Sequence, residues 1–208
     1  MSRIPAPLLS RHLAVVVVVV TLLAVAASAA TLIIPIDGSI MWLVVVRQVV
    51  LAVQCGVLAL AVFVVWRTLA RRTVVAALAA LAAVGGFLLL VLVQLATLVV
   101  PTAWGVPAVV LVIESVAVLA AVLLFAGLLG LGIAVIAQAA WSGVTRATLV
   151  VMAILVIPLV AAQAMHLPLA LPYGVWSLSF LGLAGGLRQP REVPVAGQPD
   201  TQLGAAQV

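Results

Sequence analysis

The chain alternates between long unbroken apolar runs and short polar breaks. A helix needs about 20 apolar residues to cross ~30 Å of hydrocarbon. Six runs approach or exceed that length, at 13–34, 40–66, 73–100, 107–137, 147–165 and 171–187. The breaks carry turn and charge signals: Pro35, Asp37 and Gly38 in the first, Arg67, Arg71 and Arg72 in the second, Pro101 and Trp104 in the third. The fourth, 138–146, is the most polar, and the fifth leads from His166 to Pro168. Valine runs such as 15–20 would favour strands in water. In lipid a strand needs a closed barrel with alternating sidedness, which these runs lack. The pattern therefore predicts an all-α integral membrane protein, a bundle of six transmembrane helices.

Three spans carry local irregularities. The fourth is long for one crossing, and Gly127, Gly130 and Gly132 are expected to bend it or end it early. The sixth is short and glycine-rich, which implies either little tilt or a partly interfacial position. Pro158 predicts a kink in the fifth. Gly182 and Gly186 form a GxxxG spacing, and alanines crowd 74–84; both suit close helix packing, within the chain or between copies. Residues 1–187 read as the transmembrane domain. The stretch 188–208, with Pro190, Pro194, Gly197, Pro199 and several glutamines, reads as a disordered cytoplasmic tail.

Composition agrees with lipid as the solvent. Of 208 residues, 68% are hydrophobic and 6% charged, whereas a soluble domain is nearer half apolar and about a quarter charged. The nine basic residues are all arginine and give a net charge of +5. They are scattered between apolar runs with no basic stripe or stacking aromatics, so nucleic acid is not an expected partner. They do set the orientation. With both termini cytoplasmic, the inside carries Arg3, Arg11, Arg67, Arg71, Arg72, Arg146, Arg188 and Arg191, and the outer loops carry no arginine. Trp42, Trp104, Tyr173 and Trp176 then fall at the outer boundary and Trp66 and Trp141 at the inner one, as an aromatic belt would. Arg3 and Arg11 followed by an apolar run that reaches Ala27-Ser28-Ala29 and continues to Ile34 resemble a secretory signal. The run is longer than the usual ~7–15 residue core, which favours a retained first span. The absence of lysine suggests a GC-rich bacterial genome, and hence a multi-pass protein of the bacterial cytoplasmic membrane.

Polar residues inside the spans are the candidates for function, because a charge at mid-bilayer costs ~2.5–3.5 kcal/mol on insertion scales and seeks a partner. Arg47 and Glu114 each lie two turns in from the outer end of their spans, at a depth of ~10 Å. Gln94 reaches nearly the same level, and Thr97, Ser115, Gln163 and His166 extend the set. Arg47 shares a helical face with Gln54, Gln94 with Thr97, and Gln163 with His166. The expectation is an Arg47–Glu114 pair with glutamines satisfying the remaining groups, so that any hydrophilic cavity opens outward. Such groups also hold helices together without further function.

No Walker loop, GxGxxG after a strand, HExxH or GxSxG occurs. Cys55 is the single cysteine, and His12 and His166 lie at different depths, so no metal or cofactor is expected. An intramembrane enzyme using Glu114 or His166 has little to support it. Two readings follow: a structural or accessory subunit of a membrane complex, partnered by lipid and by another membrane protein or further copies of itself; or a small permease or exporter with an outward polar cavity around Arg47, Gln94 and Glu114. A catalytic role is not expected.

Overall fold

The computed structural model describes residues 6–33, 41–69, 71, 73–99, 107–165 and 170–188. These residues form six α-helices and one short 3-10 turn, with no strand among them. The helices are α1 (Ala6–Ile33), α2 (Met41–Thr68), α3 (Val74–Val99), α4 (Pro107–Ala137), α5 (Thr148–Ala164) and α6 (Ala170–Arg188). Five stretches, Ser10–Ala30, Trp42–Thr68, Val74–Val99, Ala108–Ala137 and Gly143–Ala162, are long and apolar enough to cross a membrane. The chain thus fits a multi-pass membrane protein. Ala27, Ser28 and Ala29 lie inside α1, and the tail after Arg188 lies outside the described residues.

Each helix packs on the next in sequence, and α6 returns to pack on α1, closing the bundle. The sidedness is that of a protein dissolved in lipid. Valine and leucine cover the outside: Val15, Val19, Leu22, Leu81, Leu111 and Ile154 are all exposed. The buried faces combine leucine with many alanines, among them Ala14 and Ala83, and with a few polar residues such as Thr21, Gln54 and Ser177. Lipid tails are as apolar as leucine, so close backbone approach and hydrogen bonding, more than hydrophobicity, hold such helices together. Several hydroxyls inside the helices bond to their own backbone: Thr97 Oγ1 donates to the Gln94 carbonyl and Ser179 Oγ to that of Trp176.

The α3–α4 contact shows the rule most clearly. Ala76, Ala79, Ala80, Ala83 and Gly86 form the buried stripe of α3. Opposite them, a Cβ on Gly127 would overlap the Ala83 backbone nitrogen and sit 2.7 Å from the Ala79 carbonyl oxygen. Gly127 and Gly132 therefore do not end α4; they let neighbouring helices touch it, and the helix runs on to Ala137. The two glycines of the GxxxG are likewise used within the chain, Gly182 against Thr148 and Gly186 against the Trp141 ring.

At the far end of α4 the chain turns sharply. The Ala140 amide donates to the Val135 carbonyl and the Ala139 amide to that of Ile136, with Ala139 at a left-handed φ of 49°. This is the two-bond helix ending normally completed by glycine. Gln138 then reaches across to the α2–α3 turn, accepting from the Arg71 amide at 3.0 Å and donating to the Arg71 carbonyl at 2.9 Å. Arg146 donates to the Ile136 carbonyl and Thr73 caps α3 through the Ala76 amide.

Candidate functional site

The face that α2 turns toward α6 carries both polar residues singled out on that span. Arg47 lies over the Tyr173 ring, its Cζ 5.7 Å from the centroid. Two turns along, Gln54 is 1% exposed, and its Oε1 accepts from the equally buried Ser177 hydroxyl at 3.4 Å. From α3, the buried Gln94 amide neighbours the Tyr173 hydroxyl, with Cys55 of α2 close by. Arg47, Gln54, Gln94, Tyr173 and Ser177 thus form one polar group where α2, α3 and α6 meet. The Arg47 Nε and Gln54 Nε2 have no hydrogen-bond partner among the described residues.

Arg47 does not pair with Glu114. Glu114 is the only acid among the described residues, and it is exposed on α4, which packs between α3 and α5. A charge's attraction to its opposite is visible in a sequence, but the direction each side chain takes around its helix depends on packing. Here the small-residue seam turns Ala117, Ala120 and Leu124 inward and leaves Glu114 and Ser115 outside. Ser115 spends its hydroxyl on the Leu111 carbonyl at 2.7 Å. Thr97 is half-buried beside Gln94. Gln163 lies in α5 with its side chain outside the described residues, and His166 and Trp104 lie outside them altogether.

Tyr173 and Ser177 are the partners that the sequence reading missed; they sit one turn apart on α6, a spacing that puts both on one face. The aromatic-belt reading also needs correcting at two positions. Trp176 is buried at the bundle centre, stacked on Phe87 with centroids 6.2 Å apart and meeting Phe180 edge-on at 4.8 Å. Its indole nitrogen donates to the Met152 carbonyl at 3.4 Å. Trp141 is buried against Gly186. Trp42 remains exposed, and at the opposite end of α2 Phe63 contacts Trp66 and carries Arg67 over its ring at 5.5 Å.

The polar group runs alongside the stacked Trp176 and Phe87 rings, and among the described residues it holds no nucleophile beside a base and no three His, Cys, Asp or Glu that come together. A groove of about 340 Å³ lies on the outside between α4 and α5, lined by apolar side chains including Val122, Phe125, Val156 and Ile157. Comparison with protein-family models, curated proteins and solved structures returns no match.

Proposed function

We propose that the protein is a structural or accessory subunit of a membrane complex, with six crossings and both termini on the cytoplasmic side. The observation that carries this reading is the filled centre: Phe87, Trp176 and Phe180 are each at most 1% exposed and occupy the middle of the bundle where a passage would run. The described groove lies outside and is apolar. The polar group then serves to fix how α2, α3 and α6 meet, each interhelical hydrogen bond contributing ~0.6 kcal/mol on average. The arginines at the α2–α3 turn, the 3-10 turn and the end of α6 support the orientation.

The permease reading keeps one specific support, the unpartnered Gln54 Nε2 beneath Arg47, which a polar ligand entering from the outer side would satisfy. Thiol chemistry separates the two. With Cys55 replaced by alanine, a cysteine at Gln94 in a dry bundle stays unmodified by a membrane-impermeant maleimide in intact cells. Modification at a rate near that of an exposed loop cysteine would favour the permease and overturn the subunit reading.

A further inference from the structure

The outer half of α4 looks unfinished. From Ala108 to Val116 no residue is buried, whereas Ala117, Ala120, Ala121 and Leu124 further along are. Glu114 lies in the exposed part, about 10 Å in from Pro107 along the helix. It does not mark the point where α4 leaves the hydrocarbon. Residues 108–113 outward of it are all apolar, and Leu111 and Val112 are exposed. The α3–α4 register gives the same level: Gly127 meets Ala79 and Ala83, and Gly86 meets Ala120 and Leu124. Continued outward, that antiparallel register brings Glu114 to within about a turn of Gln94.

A lipid-facing acid at this depth is costly unless another group meets it. Leu111 precedes it and Ser115, Val118, Val122 and Phe125 follow it along α4 at helical spacing, all exposed or half-buried. Val122 and Phe125 are also walls of the apolar groove shared with Val156, Ile157 and Val160 of α5. The exposed carboxyl and the groove are therefore two parts of one continuous strip. Within α5, Pro158 cannot supply the amide that the Ile154 carbonyl would otherwise accept, so the groove lies beside a weakened stretch of helix.

We infer that this strip is the docking surface for a membrane-spanning helix of another protein, one that carries an arginine or lysine about two turns below its outer end and branched apolar residues further in. The cation meets Glu114 and the apolar residues fill the groove. Lipid supplies tails for the groove but no hydrogen-bond donor at the depth of Glu114. A second copy of this chain offers little better: its cation at that level, Arg47, lies over Tyr173 with Nε buried inside its own bundle. The inference rests on the subunit reading and adds the partner's chemistry to it.

The test uses the full-length protein in phosphatidylcholine vesicles with two synthetic leucine–alanine helices, alike except for one arginine or one leucine seven residues from the outer end. Energy transfer between labelled peptide and protein reads association. The arginine peptide is expected to bind about three- to tenfold more tightly than the leucine peptide, and Glu114→Leu and Glu114→Gln should each remove the preference. Val122→Trp, which fills the groove, should weaken both peptides. Equal binding of the two peptides to the unaltered protein overturns the inference, as does a preference that survives Glu114→Leu. Self-association of the protein that Glu114→Leu abolishes overturns it in favour of a second copy. The thiol measurement at position 94 is independent of all these outcomes, so the docking surface and the subunit reading fail separately.

Discussion

Arg47 stands over the Tyr173 ring, with the Gln94 amide beside the phenol, while the one acid among the described residues, Glu114, is exposed on α4 and does not balance the guanidinium. A cation over an aromatic face is attracted by the ring quadrupole, by ~0.5–2 kcal/mol depending on desolvation. Tyr173→Leu should therefore lower the stability of the detergent-solubilised protein by about that amount. Tyr173→Phe keeps the ring and loses only the hydroxyl, and should cost about 0.6 kcal/mol or less. Thermal melts of the two variants compare the terms directly; equal losses would place the interaction in the hydroxyl instead. At this scale the sequence shows which residues are expensive in lipid but not whom they meet. Arg47 and Gln54 do share a face, as helical spacing requires, yet their partners Tyr173 and Ser177 carry no charge and so give no linear signal. Glu114 gives the strongest such signal and points away.

The helices themselves were largely legible, because a run of apolar side chains in lipid has no alternative to satisfying its backbone internally. Each helix begins and ends within a few residues of an apolar run, except α1, which starts at Ala6 and carries the exposed Arg11 and His12 in its first turns. The glycines misled for an identifiable reason: on propensity alone they weaken α4, whereas contact with α3 and α5 makes them necessary. A Cβ at Gly127 meets the backbone of α3, and a Cβ at Gly85 meets nothing within 4 Å. Gly127→Ala should thus destabilise by about 1–3 kcal/mol through overpacking. Gly85→Ala should be neutral or gain up to ~1 kcal/mol from helix propensity. Melting of the pair in one detergent checks both signs. A neutral Gly127→Ala would mean that α3 and α4 do not approach so closely in the membrane.

Closure of the whole bundle depends on α6, the helix whose crossing is hardest to read from sequence. It has 19 residues, a length of ~28 Å that barely matches the hydrocarbon. Its contacts bear on the question more than its length. Near one end Tyr173 meets Arg47 and Gln94, in the first half of α2 and the last half of α3; near the other, Gly186 meets Trp141 in the turn after α4. Between them Trp176 and Ser177 meet Phe87 and Gln54 in the middle. A helix lying in the interface could not touch both ends and the centre of its neighbours, so these contacts favour the proposed sixth crossing. The same contacts run α6 parallel to α2 and antiparallel to α3, which sets Arg188 at the end of the bundle that carries Arg67 and Arg146. Reporter fusions test the consequence. A fluorescent protein fused after Ala70, after Ser142 or at the C-terminus should fold and fluoresce. Alkaline phosphatase should be active when fused after Ser39 or Thr102. Phosphatase activity in place of fluorescence at the C-terminus, with the other fusions unchanged, would leave an odd number of crossings and detach α6 from the bundle's far end.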